Sequence, residues 1–264
     1  MTVQPRLIAS LLVDDHLHLV KTTSFESRHY LGDPLNAAYV FSGFEVDELL
    51  VLDIDATPQG RSIPLKFIES LSRFTSVPLC IGGGISSIEQ IQEYLALGVE
   101  KVALSSVLDS NFGFLAEAAD RFGSSTISVI INSFDSQDQS RSEAGFTKAC
   151  LGRPGQGKTS HPLFDLALAC QNAGAGELII NHANRDGTFK GFSIPPLIEL
   201  NRSLKIPLVA VGGCGSNTNI SELLSATSIS GIAAGSMFCY ANKNREVLLN
   251  YPLTYKWLHE EYLR

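Results

Sequence analysis

Short apolar runs alternate along the chain with longer stretches of helical period. The runs are Leu7–Val13, Glu48–Ile54, Pro78–Ile81, Lys101–Leu104, Ile127–Ile131, Glu177–Ile180, Pro207–Val211 and Gly231–Ala234. Most are rich in Val, Ile and Leu without strict polar alternation, the pattern of parallel strands buried on both faces. Between them lie amphipathic segments: Asp33–Gly43, Gln59–Phe74, Ile88–Leu97, Phe112–Phe122, Pro162–Asn172, Ile194–Leu204 and Ile220–Leu224. Strand and helix alternating eight times predicts βα units around a parallel sheet. Eight units in this length match an α/β fold of the single (β/α)8 TIM barrel type; an open doubly wound sheet is the competitor.

An internal repeat favours the barrel. VPLCIGGGIS at 77–86 resembles IPLVAVGGCG at 206–215, and ELL at 48–50 resembles ELI at 177–179 at the same offset. KVALSS at 101–106 faces GIAAGS at 231–236. Segments recurring in one order at nearly one spacing predict two half-barrels, about 1–125 and 126–240, within one domain spanning 1–264. The aromatic tail, with Tyr255, Trp257 and Tyr262, is expected to pack as a last helix over 245–264.

The duplicated glycine loops suggest anion chemistry. Gly82-Gly83-Gly84 and Gly212-Gly213-Cys214-Gly215 each follow a strand and precede a helix. Glycine lets backbone approach an anion, and the next helix directs free N–H groups at it. Ser105-Ser106 and Gly235-Ser236 close the following strands. The candidate phosphate-binding set is therefore Gly83, Gly84, Ser105, Ser106, Gly212, Gly213, Gly235 and Ser236, suited to a ligand with a phosphate at each end. The alternative is that these glycines only make tight turns. Residues 152–159 also fit G-x-x-x-x-G-K-[ST], but the helix after them is expected only from His161-Pro162, so a nucleotide P-loop is not the reading.

Composition narrows the class. Apolar residues are 44%, charged residues 18% and the formal net charge −7. Mean hydropathy is +0.12. The chain can bury a large core, and the acidic balance argues against a nucleic-acid partner. No apolar run is long enough to span a membrane and no leader is apparent, so a cytoplasmic protein is expected. Cys80, Cys150, Cys170, Cys214 and Cys239 contain no C-x-x-C pair, which argues against a disulfide framework or structural zinc. Asp14-Asp15-His16-Leu17-His18 could array two histidines on a metal, or be a solvated loop. No metal and no cofactor are expected. His182, near Arg185 and Asp186, could face the barrel mouth or be structural.

Arg6-Leu-Ile, Gly32-Asp33-Pro34, Asp47-Glu48-Leu49, Leu52-Asp53-Ile54, Gly82-Gly83-Gly84-Ile85 and Lys101 form one set of motifs in order. Phe122-Gly123-Ser124, Gly174-Ala-Gly-Glu177-Leu, Arg185-Asp186-Gly187-Thr188 and Gly212-Gly213 form another. Together they resemble the cyclase subunit of imidazole glycerol phosphate synthase, the HisF family, over about residues 5–240. The resemblance implies a barrel of two half-barrels and a phosphorylated small-molecule ligand with a phosphate at each end. It also implies ammonia delivered by a HisH-like glutaminase docked at the barrel bottom.

Departures from the family pattern are as informative. The resemblance places two catalytic aspartates where this chain has Leu12 and Asn132, and neither side chain performs carboxylate acid–base work. Asp14 and Asp15 lie nearby but beyond the strand. Asn184 stands where the family usually has Asp. The family's gate of two basic and two acidic residues maps onto Arg6, Glu48, Lys101 and Glu177, all charge-matched. The ring could admit ammonia or simply plug the floor. Glu100 matches an acidic position on the glutaminase-facing surface. Leu11-Leu12, Leu19-Val20-Lys21-Thr22, Tyr30-Leu31-Gly32-Asp33-Pro34 and the run at 52–56 resemble a paralogous group associated with a glutaminase and a sugar amidotransferase. That group converts an N-acetyl group of a surface-polysaccharide sugar to an acetamidino group. The resemblance thus implies an ammonia-passing synthase subunit with its cyclase aspartates replaced. The alternatives are an active cyclase of histidine biosynthesis and a non-catalytic scaffold that activates a glutaminase.

Overall fold

The computed structural model describes residues 4–135, 147–154, 159–242 and 244–251. β1 (Arg6–Val13) is followed by a hairpin, β2 (Leu19–Thr23) and β3 (Ser27–Gly32), then α1 (Pro34–Gly43). β4 (Glu48–Asp53), α2 (Leu65–Phe74), β5 (Leu79–Gly82), α3 (Ile88–Ala96), β6 (Lys101–Leu104), α4 (Ser106–Ser110) and α5 (Gly113–Phe122) complete the first half. The second half comprises β7 (Ile127–Phe134), β8 (Lys148–Cys150), β9 (His161–Pro162), α6 (Leu163–Asn172), β10 (Glu177–His182) and α7 (Ile194–Ser203). It ends with β11 (Leu208–Val211), α8 (Asn217–Ala226), β12 (Gly231–Ala234) and α9 (Ser236–Cys239).

Eight of these strands pair in parallel in the order β1-β4-β5-β6-β7-β10-β11-β12, and β12 returns to β1 with Arg6 opposite Gly231. The ring is closed, a (β/α)8 barrel. The eight apolar runs are its eight strands. Local sequence sets the helix starts: Asp33 accepts from Leu35 N before Pro34 opens α1, and Ser87 with Gln90 forms a capping box on α3.

Strand alternation divides the apolar residues into two cores. Leu7, Ala9, Leu11, Leu49, Val51, Ile131, Leu178 and Ile180 face the helices. Ile8, Leu50, Cys80, Ala103, Ile130, Ile179, Val209 and Ala233 fill the barrel interior.

One local expectation changes and one feature is added. The segment 14–18 is a loop, as read, and it leads into a hairpin the periodicity did not show: β2 runs antiparallel to β1 and β3 antiparallel to β2. The expected helix over 245–264 does not begin there. Val247 instead bridges Tyr240 antiparallel, no helix forms through Tyr251, and the remainder lies outside the described residues. The chain turns back here, with Ala241 N donating to Glu246 O and Leu248 N to Cys239 O, so these backbone groups pair across the turn instead of along a helix. Tyr251 stacks on Phe44 and approaches Phe238. In the glycine-lysine motif, 155–158 lie outside the described residues. The strand ahead of it, β8, runs antiparallel to β7, and among the described residues the next helix starts at Leu163, unlike a P-loop.

Candidate functional site

At the N-terminal ends of the strands, Arg6, Glu48, Lys101 and Glu177 are the first residues of β1, β4, β6 and β10. Alternation turns all four inward, where they converge. Arg6 pairs with both Glu48 and Glu177, while Lys101 Nζ lies 2.7 Å from Glu48 Oε2 and 3.2 Å from Glu177 Oε1. Ser128 Oγ donates to Glu177 Oε1 at 3.1 Å. Burial raises the Glu48 carboxyl above its usual range, partly countered by Lys101 and Arg6. Burial opposes charge on Arg6, but Glu177 and Glu48 outweigh it and raise its pKa. The collar thus compensates its own charge, which an isolated buried ion could not do. Outside it, Glu100 accepts from Leu79 N at 2.6 Å.

Above the collar lies the apolar interior layer, and above that a cavity of about 220 Å³ opens at the C-terminal mouth. The loop after β5 and the loop after β11 stand four strands apart in a ring of eight, on opposite sides of the mouth. The Ser105-Ser106 and Gly235-Ser236 segments are likewise opposed, and Gly83, Gly84, Ser105, Ser106, Gly212, Gly213, Gly235 and Ser236 all line the cavity. Two glycines are demanded by the turns themselves. Gly84 (φ +68°) and Gly213 (φ +97°) adopt left-handed backbone, and a Cβ would strike Arg61 O or Gly191 O. Ser105 is committed locally: its hydroxyl donates to Ile130 O and accepts from Gly152 N, each at 2.8 Å.

Leu12 and Asn132 both line the mouth. Asn132 Nδ2 donates to Gly152 O at 2.7 Å and its Oδ1 accepts from Asn181 Nδ2 at 3.2 Å. An amide ladder therefore occupies this wall, and the Asn181 Oδ1 is buried without a protein partner. Asp14 is turned into its own loop, accepting from His16 N and His18 N at 3.0 and 2.8 Å. Asp15 accepts from Gln59 Nε2 at 3.0 Å. Neither lines the cavity. Asp53 does line it, but Arg61 holds both its oxygens, at 2.5 and 3.1 Å.

Of the other expected mouth residues, only Asp186 reaches the cavity. His182 follows inward Asn181 on β10 and so points outward, buried, with Nε2 3.3 Å from Asp135 Oδ1. Burial lowers its pKa, with Asp135 opposing. Arg185 staples its own loop, donating to the carbonyls of Lys190, Gly191 and Phe192. Asn184 accepts from Asp135 N at 3.0 Å. His16 and His18 are solvent-facing, and among the described residues no His, Cys, Asp and Glu group could hold a metal ion.

Besides Asp53, sequence reasoning missed further mouth residues, among them Lys21, Asn181 and Arg153. Lys21 enters from β2, buried, its Nζ donating to Ser10 O. Asn181 completes the amide ladder. Arg153 donates to Phe25 O, fastening the hairpin tip over the mouth. The polar residue within Leu19-Val20-Lys21-Thr22-Thr23 was the available signal for Lys21.

A family model described as histidine biosynthesis protein matches residues 6–244. A protein from Leptospira borgpetersenii, named as a candidate imidazole glycerol phosphate synthase subunit HisF, is 38% identical over 95% of this chain and 96% of its own. A second candidate HisF subunit, from Pseudomonas aeruginosa, is 34% identical over the same shares. Imidazole glycerol phosphate synthase subunit HisF of Streptococcus sanguinis is 31% identical over 90% of this chain and 91% of its own.

Proposed function

This chain belongs to the HisF-type histidine biosynthesis family, and from that footing we propose that it is the ammonia-accepting synthase subunit of a glutamine-dependent amidotransferase. In this reading a HisH-like glutaminase docks at the collar face and ammonia crosses the barrel to the mouth. A separate sugar amidotransferase then uses it to amidinate an N-acetyl sugar. The observation that carries the reading is a mouth stripped of the expected carboxylates above a complete charged collar. An apolar layer of eight residues separates the two, which suits a small neutral molecule and disfavours ammonium. Lys101, on a flexible four-carbon stem, is the collar member this reading sets in motion. The opposed glycine loops hold a ligand with two phosphates.

The runner-up is a cyclase of histidine biosynthesis; the Streptococcus sanguinis relative carries the name imidazole glycerol phosphate synthase subunit HisF. Leu12 and the bonded Asn132 speak against it, because neither takes or gives a proton at the mouth. Incubation with ribulosyl phosphoribosyl-formimino carboxamide ribotide and ammonium salt decides between them: no imidazole product is expected, and formation at an ordinary enzyme rate overturns the proposal. In the complex with glutaminase and sugar amidotransferase, Lys101→Ala and Glu48→Ala should lower glutamine-supported product about tenfold, equivalent to ~1.4 kcal/mol. Ammonium-supported product should barely change. An equal effect on both nitrogen sources would instead fit a scaffold.

A further inference from the structure

The buried cation of the mouth has no part in the route just described. Lys21 is 4% exposed and lines the cavity, carried there because β2 folds back over the end of β1. Its Nζ donates to Ser10 O, and no carboxylate among the described residues lies within ion-pair distance of it. Opposite it, position 235 is glycine, and a Cβ there would overlap Nζ. The amine therefore sits directly against the Gly235-Ser236 loop. Asp186 lines the same cavity, accepts from Thr22 Oγ1 at 3.0 Å, and senses the charge of Lys21. Burial lowers the Lys21 pKa and raises that of Asp186, each opposed by the charge of the other.

We propose that Lys21 is a Schiff-base lysine, whose ε-amine condenses with the carbonyl of a small phosphorylated aldose or ketose held by the Gly212-Gly213 and Gly235-Ser236 loops. The proposal rests on the phosphate-holding part of the reading above and not on the ammonia route. The amine lone pair attacks the carbonyl carbon, the C–N bond forms, and the carbonyl electron pair moves to oxygen. That oxygen takes the proton of Asp186, and the nitrogen returns a proton to the carboxylate. Loss of the hydroxyl as water leaves the C=N bond, with one further proton passing from nitrogen to the departing oxygen. A desolvated lysine is the form of this residue that acts as a nucleophile at neutral pH.

The test treats the full chain with glyceraldehyde 3-phosphate or ribulose 5-phosphate and cyanoborohydride, which reduces any imine to a stable amine. Digestion and mass spectrometry then locate the adduct. One saturable adduct on Lys21 is expected, suppressed by inorganic phosphate and formed about tenfold more slowly with unphosphorylated glyceraldehyde, a ~1.4 kcal/mol preference. Adducts scattered over surface lysines overturn the proposal, as does equal labelling by glyceraldehyde. Because the site is mapped in the native chain, the result does not depend on a variant folding. Lys21→Met, checked by circular dichroism, should lose the adduct. If phosphate raises the melting temperature but no adduct forms, the lysine proposal falls and phosphate holding stands. If neither occurs, both fall.

Discussion

Asn132 is held from both sides of its amide: it gives one hydrogen bond to Gly152 O and takes one from Asn181. A carboxylate of the same shape could keep only the second. Asn132→Asp should therefore destabilise the fold by about 1–3 kcal/mol at neutral pH, because it sets an ionised oxygen against the buried Gly152 carbonyl. The loss should shrink as acid protonates the new carboxyl; urea midpoints at several pH values measure it. Lys21 supplies an opposite sign. Its folded pKa lies below the ordinary lysine value because burial disfavours the charged form. Between those two values the unfolded chain binds more protons than the folded one, so stability rises with pH through that window. Lys21→Met should flatten this part of the stability–pH profile, again read from urea midpoints. An unchanged slope would contradict the assignment.

At the scale of elements, the collar depends on the registers of separate strands. Arg6 on β1 meets Glu48 on β4 and Glu177 on β10, and Lys101 on β6 reaches the same two carboxylates. Removing one acidic member leaves two cations facing one carboxylate in a mostly buried layer. Glu177→Ala should cost about 3–5 kcal/mol, seen as a lowered denaturation midpoint with unchanged m-value. Replacing Glu177 and Lys101 together by apolar residues of similar volume should recover much of that loss, since a charge and its partner leave as a pair. The hairpin is a second such device. Arg28 holds both oxygens of Asp55 at 2.7 and 2.8 Å, and Arg153 grips the tip through Phe25 O. It is this element, inserted between the first strand and first helix, that carries Lys21 into the mouth.

For the whole molecule, the decisive property is polarity along the barrel axis. A collar of four paired charges closes one pole, an apolar layer fills the middle, and glycine loops ring the other pole. The loops stand on opposite sides of one cavity, so a ligand with two terminal phosphates should bind better than either half. A sugar bisphosphate at 100 times its dissociation constant should stabilise the fold by about 2.7 kcal/mol, measured as a rise in melting temperature. The corresponding monophosphate should give a smaller rise at equal concentration. Equal shifts would show that only one loop is used.

Some of this was readable from the chain alone. The eight parallel strands follow from apolar runs spaced by amphipathic segments, because each run must bury both faces and each segment only one. The internal repeat favoured a closed ring over an open sheet, and the pairing of β12 with β1 decided it. That Leu12 and Asn132 are not carboxylates was equally plain, since a residue's chemical type needs no coordinates. What closure decided was which side chains meet. His182 and Asn181 are adjacent in sequence, yet alternation on a closed sheet sends Asn181 into the mouth and His182 outward. Arg185 was spent on three carbonyls of its own loop, and Ser105 on backbone at the rim. Lys21 reaches the cavity only because a hairpin turns back over the strand before it, a long-range placement that no periodicity encodes. Sequence thus set what each residue could do, while tertiary structure chose its partners, because distance and solvent exclusion arise only when the ring closes.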